Sequence, residues 1–210
     1  NAAIYASGAP QALDLRGNFY GNSGVIGSAK LVGWRIIYGR RDANDNLILG
    51  APSEVIVLDN SLMSATYTSA GSFTVTVTTT NPHGLTTGAV VTTSGATDVD
   101  ANGSFTTTVT GATTFTYTTV GDPGSGSISV AVSRNTRLEA SIPSEINSTT
   151  PSWFFQIYRS SQVSDVSTSI FSDFKLIDER TLTSAEISAG VFFYNDDVDD
   201  VLLGEELYTN

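Results

Sequence analysis

The sequence predicts an all-β chain in which a sandwich-type host module is interrupted by a small, independent β-module. Three observations carry this. Apolar residues alternate with polar ones at period two along most of the chain, the signature of half-buried strands. Clusters of Gly, Pro, Asn and Asp separate these runs at short, regular spacing, as turns between antiparallel strands do. The composition also breaks sharply inside the chain. From Ser61 to Ser133 the only charged residues are Asp98, Asp100 and Asp122, and 21 of these 73 positions are threonine. Such a shift marks a domain boundary. The expected organisation is a host formed by 1–60 plus 134–210, as one module or two partial ones, with a Thr-rich insert at 61–133.

The elements follow in order. Val32, Trp34, Ile36 and Tyr38 alternate with Gly33, Arg35 and Ile37 and predict a strand. Asp42-Ala43-Asn44-Asp45-Asn46 is a polar turn leading to Leu47-Ile48-Leu49. Gly50-Ala51-Pro52-Ser53-Glu54 precedes a further run from Val55 to Leu58. Within the insert, Phe73, Val75 and Val77 are expected on one strand face and the intervening threonines on the other. Phe105/Thr107/Val109, Phe115/Tyr117 and Ile128/Val130/Val132 repeat the pattern. Turns are expected at Asn81-Pro82-His83-Gly84, Thr93-Ser94-Gly95, Ala101-Asn102-Gly103 and Gly121-Asp122-Pro123-Gly124, since Asn-Gly and Pro-Gly steps suit tight turns. This spacing describes a small antiparallel barrel or sandwich. Beyond the insert, Leu138/Ala140/Ile142 predicts a strand and Trp153 to Arg159 a central one, apolar on both faces. Phe174/Leu176 and Val191-Phe192-Phe193-Tyr194 complete the set. Short helical turns are expected only at Ser184 to Ala189 and Leu202 to Leu207.

Composition excludes several functions. The 210 residues contain no cysteine and one histidine, so disulfides, thiolate nucleophiles and cysteine-ligated metals are absent from the chemistry. A net charge of −11 opposes electrostatic binding of nucleic acid, which requires a Lys/Arg footprint. No apolar run reaches the length of a membrane-spanning helix. All ten cations lie outside residues 42–133. The first residue is Asn1, and the chain reads as a processed or partial product.

Trp34-Arg35-Ile36-Ile37-Tyr38-Gly39, the Asp/Asn turn and Gly50-Ala51-Pro52-Ser53-Glu54 resemble the last hairpin of Ig-like, fibronectin-type-III-like modules. Phe155-Gln156-Ile157-Tyr158-Arg159-Ser160, followed by Phe174-Lys175-Leu176-Ile177, resembles the middle strands of another such module. The insert carries Asn81-Pro82-His83-Gly84-Leu85-Thr86-Thr87-Gly88, Ser94-Gly95, Asn102-Gly103-Ser104-Phe105 and Thr114-Phe115-Thr116-Tyr117. These resemble a small β-barrel of tailed-phage virion proteins, related to the first catalytic-cysteine half-domain of ubiquitin-activating enzymes, without the catalytic cysteine. Together with Leu203 to Asn210, the combination resembles the Ig-like portion of phage tail nozzle or tail-tube-associated proteins. The resemblance implies a structural virion component in a phage tail, assembled as a ring with copies of itself and neighbouring tail proteins, with the barrel displayed outside. The alternative is an adhesive module that binds a host-surface glycan.

No enzymatic activity and no catalytic residue are expected. His83, the one base suited to a hydrolytic triad, lies in a Pro-His-Gly turn without a Gly-x-Ser-x-Gly elbow. The virion barrel also carries a structural histidine there. Asp42-Ala43-Asn44-Asp45-Asn46 begins like a calcium loop, but Leu47 and Ser53 replace the glycine and the bidentate acid such a loop needs. Trp34 and Trp153 sit inside alternating runs and read as core residues more than as sugar-stacking platforms. Asp196, Asp197, Asp199 and Asp200 crowd four carboxylates into five positions; the expectation is an exposed acidic loop, and it is the first choice for a divalent cation if one binds. No other cofactor is expected. Surface contacts, if the insert makes them, are assigned to loop residues His83, Asp98, Asp100, Asn102 and Asp122.

Overall fold

The computed structural model describes residues 8–147, 153–164 and 169–207. The chain is all-β, with antiparallel sheets and two short helices among the described residues. It divides into two compact units. The first comprises Asn1–Asn18, Leu31–Asp59 and Thr136–Asn210; the second comprises Phe19–Lys30 and Asn60–Asn135. The second unit therefore takes in residues 61–133 and also a segment far upstream.

The first strands are β1 (Leu13–Tyr20), β2 (Lys30–Arg41), β3 (Leu47–Leu49) and β4 (Ile56–Asn60). The middle of the chain supplies β5 (Met63–Thr68), β6 (Thr74–Thr79), β7 (Val90–Ser94), β8 (Gly103–Thr106), β9 (Thr108–Val109), β10 (Thr114–Thr118) and β11 (Ser125–Ala131). The C-terminal part adds β12 (Asn135–Ser141), β13 (Phe154–Ser160), β14 (Phe174–Thr181) and β15 (Val191–Asp196).

In the first unit one sheet has the order β14-β13-β2-β3, with β4 also on β2, and the other the order β1-β12-β15. The two pack face to face: Phe155 of β13 stacks on Phe192 of β15 at 4.2 Å between ring centroids, and Tyr38 of β2 meets Phe192 edge-on. Burial pushes the Tyr38 phenol far above its ordinary range, and its hydroxyl donates to the Ser141 carbonyl at 2.9 Å. The far face of the first sheet is covered too, since Ile37, Tyr158 and Phe174 form a second cluster with Leu49, Val55, Leu176 and Leu207. Burial on both faces explains the continuous apolar run of β13. Its neighbour β14 bonds on its outer side to residues 204–207, through Leu176 N–H to Glu205 and Leu207 N–H to Phe174. Extended pairing here replaces the helical turn expected from Leu202 to Leu207. The chain makes only a single 3-10 turn at Asp200–Leu202. The other expected turn forms as α2 (Ser184–Ala189), after the single-turn α1 (Ser169–Ser172). Thr183 and Glu186 close a reciprocal capping box at the start of α2, and Gly190 ends it in the left-handed conformation.

The second unit is a nearly closed seven-stranded sheet, β8-β7-β11-β5-β6-β10-β9. Its edge strands β8 and β9 are consecutive in the chain, separated only by Thr107. One extended run thus serves both edges: Phe105 pairs with Val91 of β7, and Val109 pairs with Phe115 of β10. Thr107 is buried at the switch, where its N–H and hydroxyl both donate to the Ala89 carbonyl. The interior holds Val75, Val77, Val91, Phe115, Tyr117 and Val130, as the alternation predicts. Phe73 differs: it lies before β6 begins and is 59% exposed. Outward positions form hydroxyl rows across four strands, Thr114–Thr78–Thr66–Ser127 and Thr116–Thr76–Thr68–Ser125. Residues 19–30 join this unit through Ile26, fully buried and bridged to Arg134, and through Asn60, whose side-chain amide donates to Ile26, Gly27 and Val132 carbonyls.

Candidate functional site

The acidic run at 196–200 does not gather its four carboxylates into a metal cage. Asp196 ends β15 fully buried, and its partner is Arg159 of β13, itself 0% exposed. Arg159 Nη1 donates to both Asp196 oxygens at 2.9 Å, and Nη2 donates to Asp200 Oδ1 at 2.8 Å. Trp34 Nε1 donates to Asp196 Oδ2 at 2.8 Å, and the Val198 N–H donates to Oδ1 at 3.1 Å. Asp196 thus accepts at both oxygens and is buried on a guanidinium, where the sequence led to the expectation of an exposed acidic loop. Asp199 turns back to accept the Val201 N–H and caps the 3-10 turn. Among the described residues no group of three or more His, Asp or Glu side chains is placed to hold a metal. Burial, then the neighbouring Asp178 and Asp196, push the Tyr194 phenol well above its ordinary range.

Sequence reasoning missed Arg159. A cation at the end of an apolar run, on a strand buried on both faces, requires a carboxylate partner, and that was the available signal. Trp34 is a core residue as expected, with its indole N–H satisfied by Asp196. The Asp42 turn closes on itself: Asp42 accepts the Asn44 and Asn46 N–H groups and the Asn46 amide. These bonds hold its carboxyl below the usual range.

His83 is not a surface contact. It is 2% exposed, its Nδ1 accepts the Leu85 N–H at 2.9 Å, and its ring meets Phe115 edge-on. Nε2 lies 3.3 Å from the Thr114 carbonyl, so the proton sits there. Its own carbonyl accepts from Arg134 Nη2 at 2.6 Å. The histidine pins the loop before β7 onto the barrel.

The remaining four loop residues do come together. β5 and β11 run antiparallel, with Thr68 opposite Ser125 and Met63 opposite Val130. The chain enters after Asn60 and leaves toward Asn135 at the Met63 end. At the opposite end the loops 69–73, 95–102 and 119–124 converge. Ser69 donates its hydroxyl to Asp122 and its N–H to Gly124, and the Thr119 N–H donates to Phe73. Asp122 is held below the usual carboxylate range by Ser69 and by the Gly124 N–H. The Asp100 carboxylate lies against Gly121, where an added Cβ would come within 2.0 Å of Oδ2. Asp98 caps the 3-10 turn Val99–Ala101 by accepting the Asp100 N–H. Asn102 fastens the same loop through Ala96 and Asp98. Three exposed apolar side chains, Phe73, Val99 and Val120, stand on these loops; the sequence reading did not single them out as a group.

On the barrel wall a shallow groove of about 520 Å³ is lined mainly by hydroxyls, including Ser64, Thr66, Thr78, Thr80, Ser127 and Ser129. None of these groups is an acid, a base or an activated nucleophile. No protein-family model, no curated protein and no solved structure matches the chain.

Proposed function

We propose that the chain is a structural component of a phage virion tail, assembling into an oligomeric tail part through its first unit and displaying the barrel on the outside. The observation that carries this reading is the segregation of strand edges. The three-stranded sheet of the first unit has β1 and β15 as its edge strands among the described residues, and each presents an exposed apolar side chain, Leu13 and Phe193. Such edges are templates for pairing with another chain. The barrel spends its two edges on one continuous run and offers an outer wall of neutral hydroxyls. A net charge of −11 disfavours adhesion of passing DNA. The resemblance of the His83 loop and its companion motifs to the virion barrel points the same way.

Light scattering of the full chain over a wide concentration range tests the reading. A discrete closed oligomer is expected, dispersed by Phe193→Lys on β15. A monomer at every concentration overturns it, and specific glycan-array hits lost on changing barrel loops would establish the adhesive alternative instead.

A further inference from the structure

We infer that the barrel end formed by loops 69–73, 95–102 and 119–124 is a docking tip for a protein segment that is both basic and apolar. The inference concerns the barrel alone and stands apart from the tail reading.

The tip brings exposed apolar side chains and charge together, whereas elsewhere in the barrel unit Leu62 and Val90 are exposed without a charged residue beside them in the sequence. Phe73, Val99 and Val120 are 59%, 78% and 93% exposed. Their loops adjoin: the Thr119 N–H, beside Val120, donates to the Phe73 carbonyl, while Asp100, beside Val99, lies against Gly121 on the other side of Val120. The same loops hold Asp98, Asp100 and Asp122, every charge the chain carries between Ser61 and Ser133. Across β10, β6, β5 and β11 the outer wall is threonine and serine in register, which keeps these strands soluble without charge. Solubility therefore does not explain exposed Val and Phe at one end, farthest along the barrel from where the chain enters and leaves. Grouped apolar exposure of this kind marks a contact surface.

Charge selects the partner. Asp98 Oδ1 accepts the Asp100 N–H within its own loop, and Asp122 Oδ1 accepts from the Ser69 hydroxyl of the adjoining loop and from the Gly124 N–H. Between Ser61 and Ser133 no cation offsets the three carboxylates. A second identical tip, a nucleic acid or an anionic lipid surface meets like charge and is repelled. A neutral glycan leaves the carboxylates without compensation, and two of the three apolar groups are valines that offer no flat ring for a sugar to stack on. Lysine and arginine fit both features at once, because their methylene stems cover apolar surface while their heads reach carboxylates.

The test uses the full chain and a short fluorescent probe peptide of lysines and leucines on a Gly/Ser background. Anisotropy reads affinity, and hydrogen exchange locates the contact. Binding is expected, with protection confined to the three loops and affinity falling as salt is raised. Phe73→Ser or Val120→Ser should weaken it roughly tenfold, the loss expected when one apolar anchor of this size is removed. Both residues are exposed, so the fold is retained, and unchanged circular dichroism checks that. Asp98→Asn with Asp122→Asn should leave only the Asp100 carboxylate at the tip and markedly reduce the salt dependence. Equal binding of a peptide with serines in place of leucines reduces the tip to charge attraction and overturns the inference. Protection of these loops by a neutral oligosaccharide and not by the peptide overturns it in favour of a glycan site. Peptide protection elsewhere, or none, overturns it outright.

Discussion

Replacing Asp196 by alanine leaves Arg159 as a cation buried in the first unit with half its pairing removed. Asp196 accepts two bonds from Arg159, one from Trp34 and one from the Val198 N–H. Breaking one side of a buried ion pair costs about 3–5 kcal/mol, because the surviving charge stays desolvated. The orphaned indole N–H adds to this, at about 1–3 kcal/mol for a buried donor, though the two losses share one site and are not additive. Asp200 retains its bond to Arg159 Nη2 and moderates the loss, so about 3–5 kcal/mol in total is expected. With an m-value of about 2 kcal/mol per molar in urea, the midpoint should fall by roughly 2 M. The assay is built into the chain: its two tryptophans, Trp34 and Trp153, both lie in the first unit, so tryptophan fluorescence follows that unit's unfolding and not the barrel's. Asp196→Asn keeps an acceptor for Trp34 while removing the charge and should fall between wild type and alanine. A loss under about 1 kcal/mol for Asp196→Ala, the size of an exposed pair, would refute the description of this network as a buried, mutually dependent unit.

The other predictions concern the two units separately. Arg180, through its bonds to the Glu186 carboxylate, holds Glu186 down to about 2, below its usual range. Its stabilisation is therefore complete above the unfolded carboxylate range near 4.5 and is lost as pH falls from there through 2. Because the pair is partly solvated, Glu186→Gln should cost only about 0.5–1 kcal/mol at neutral pH, shrinking toward pH 2 in urea titrations. His83→Ala removes a buried ring and the acceptor of the Leu85 N–H and should destabilise the barrel by about 2–4 kcal/mol, read as faster hydrogen exchange in β5–β11. His83→Asn, which can accept the same N–H two residues on, should recover part of that loss. Gly24→Ala would place a Cβ within 2.0–2.2 Å of the Arg134 and Asn135 backbone. It should therefore loosen the 19–30 segment from the barrel, seen as lost protection at Ile26 and Arg134.

The barrel strands were legible because each has one buried face, so Val75/Val77, Phe115/Tyr117 and Ile128/Val130/Val132 announce themselves at period two. Phe73 continued that pattern on paper only; alternation does not mark where a strand begins, and β6 starts one residue after it. The run Phe105/Thr107/Val109 was also legible as a strand, but not as the one that closes the barrel, since pairing partners are non-local. Residues 19–30 were attributed to the host for a related reason: their membership in the barrel unit rests on Ile26, Gly24 and Asn60 meeting residues over a hundred positions away or on the other side of β2. In the acidic run, local sequence showed repulsion among carboxylates. What relieves it is Arg159, 37 residues earlier, and only the fold brings the two together. The turn at Ser184 to Ala189 could be read because its determinants, Thr183, Glu186 and Gly190, are all local.

The claim that the chain assembles through its first unit and displays its barrel is tested most directly by hydrogen exchange compared between dilute and concentrated full-length protein. The account predicts new protection on assembly in the edge strands β1 and β15, with β5–β11 and the loops between them unchanged. Protection that appears in the barrel strands, or none in β1 and β15 at any concentration, would contradict it.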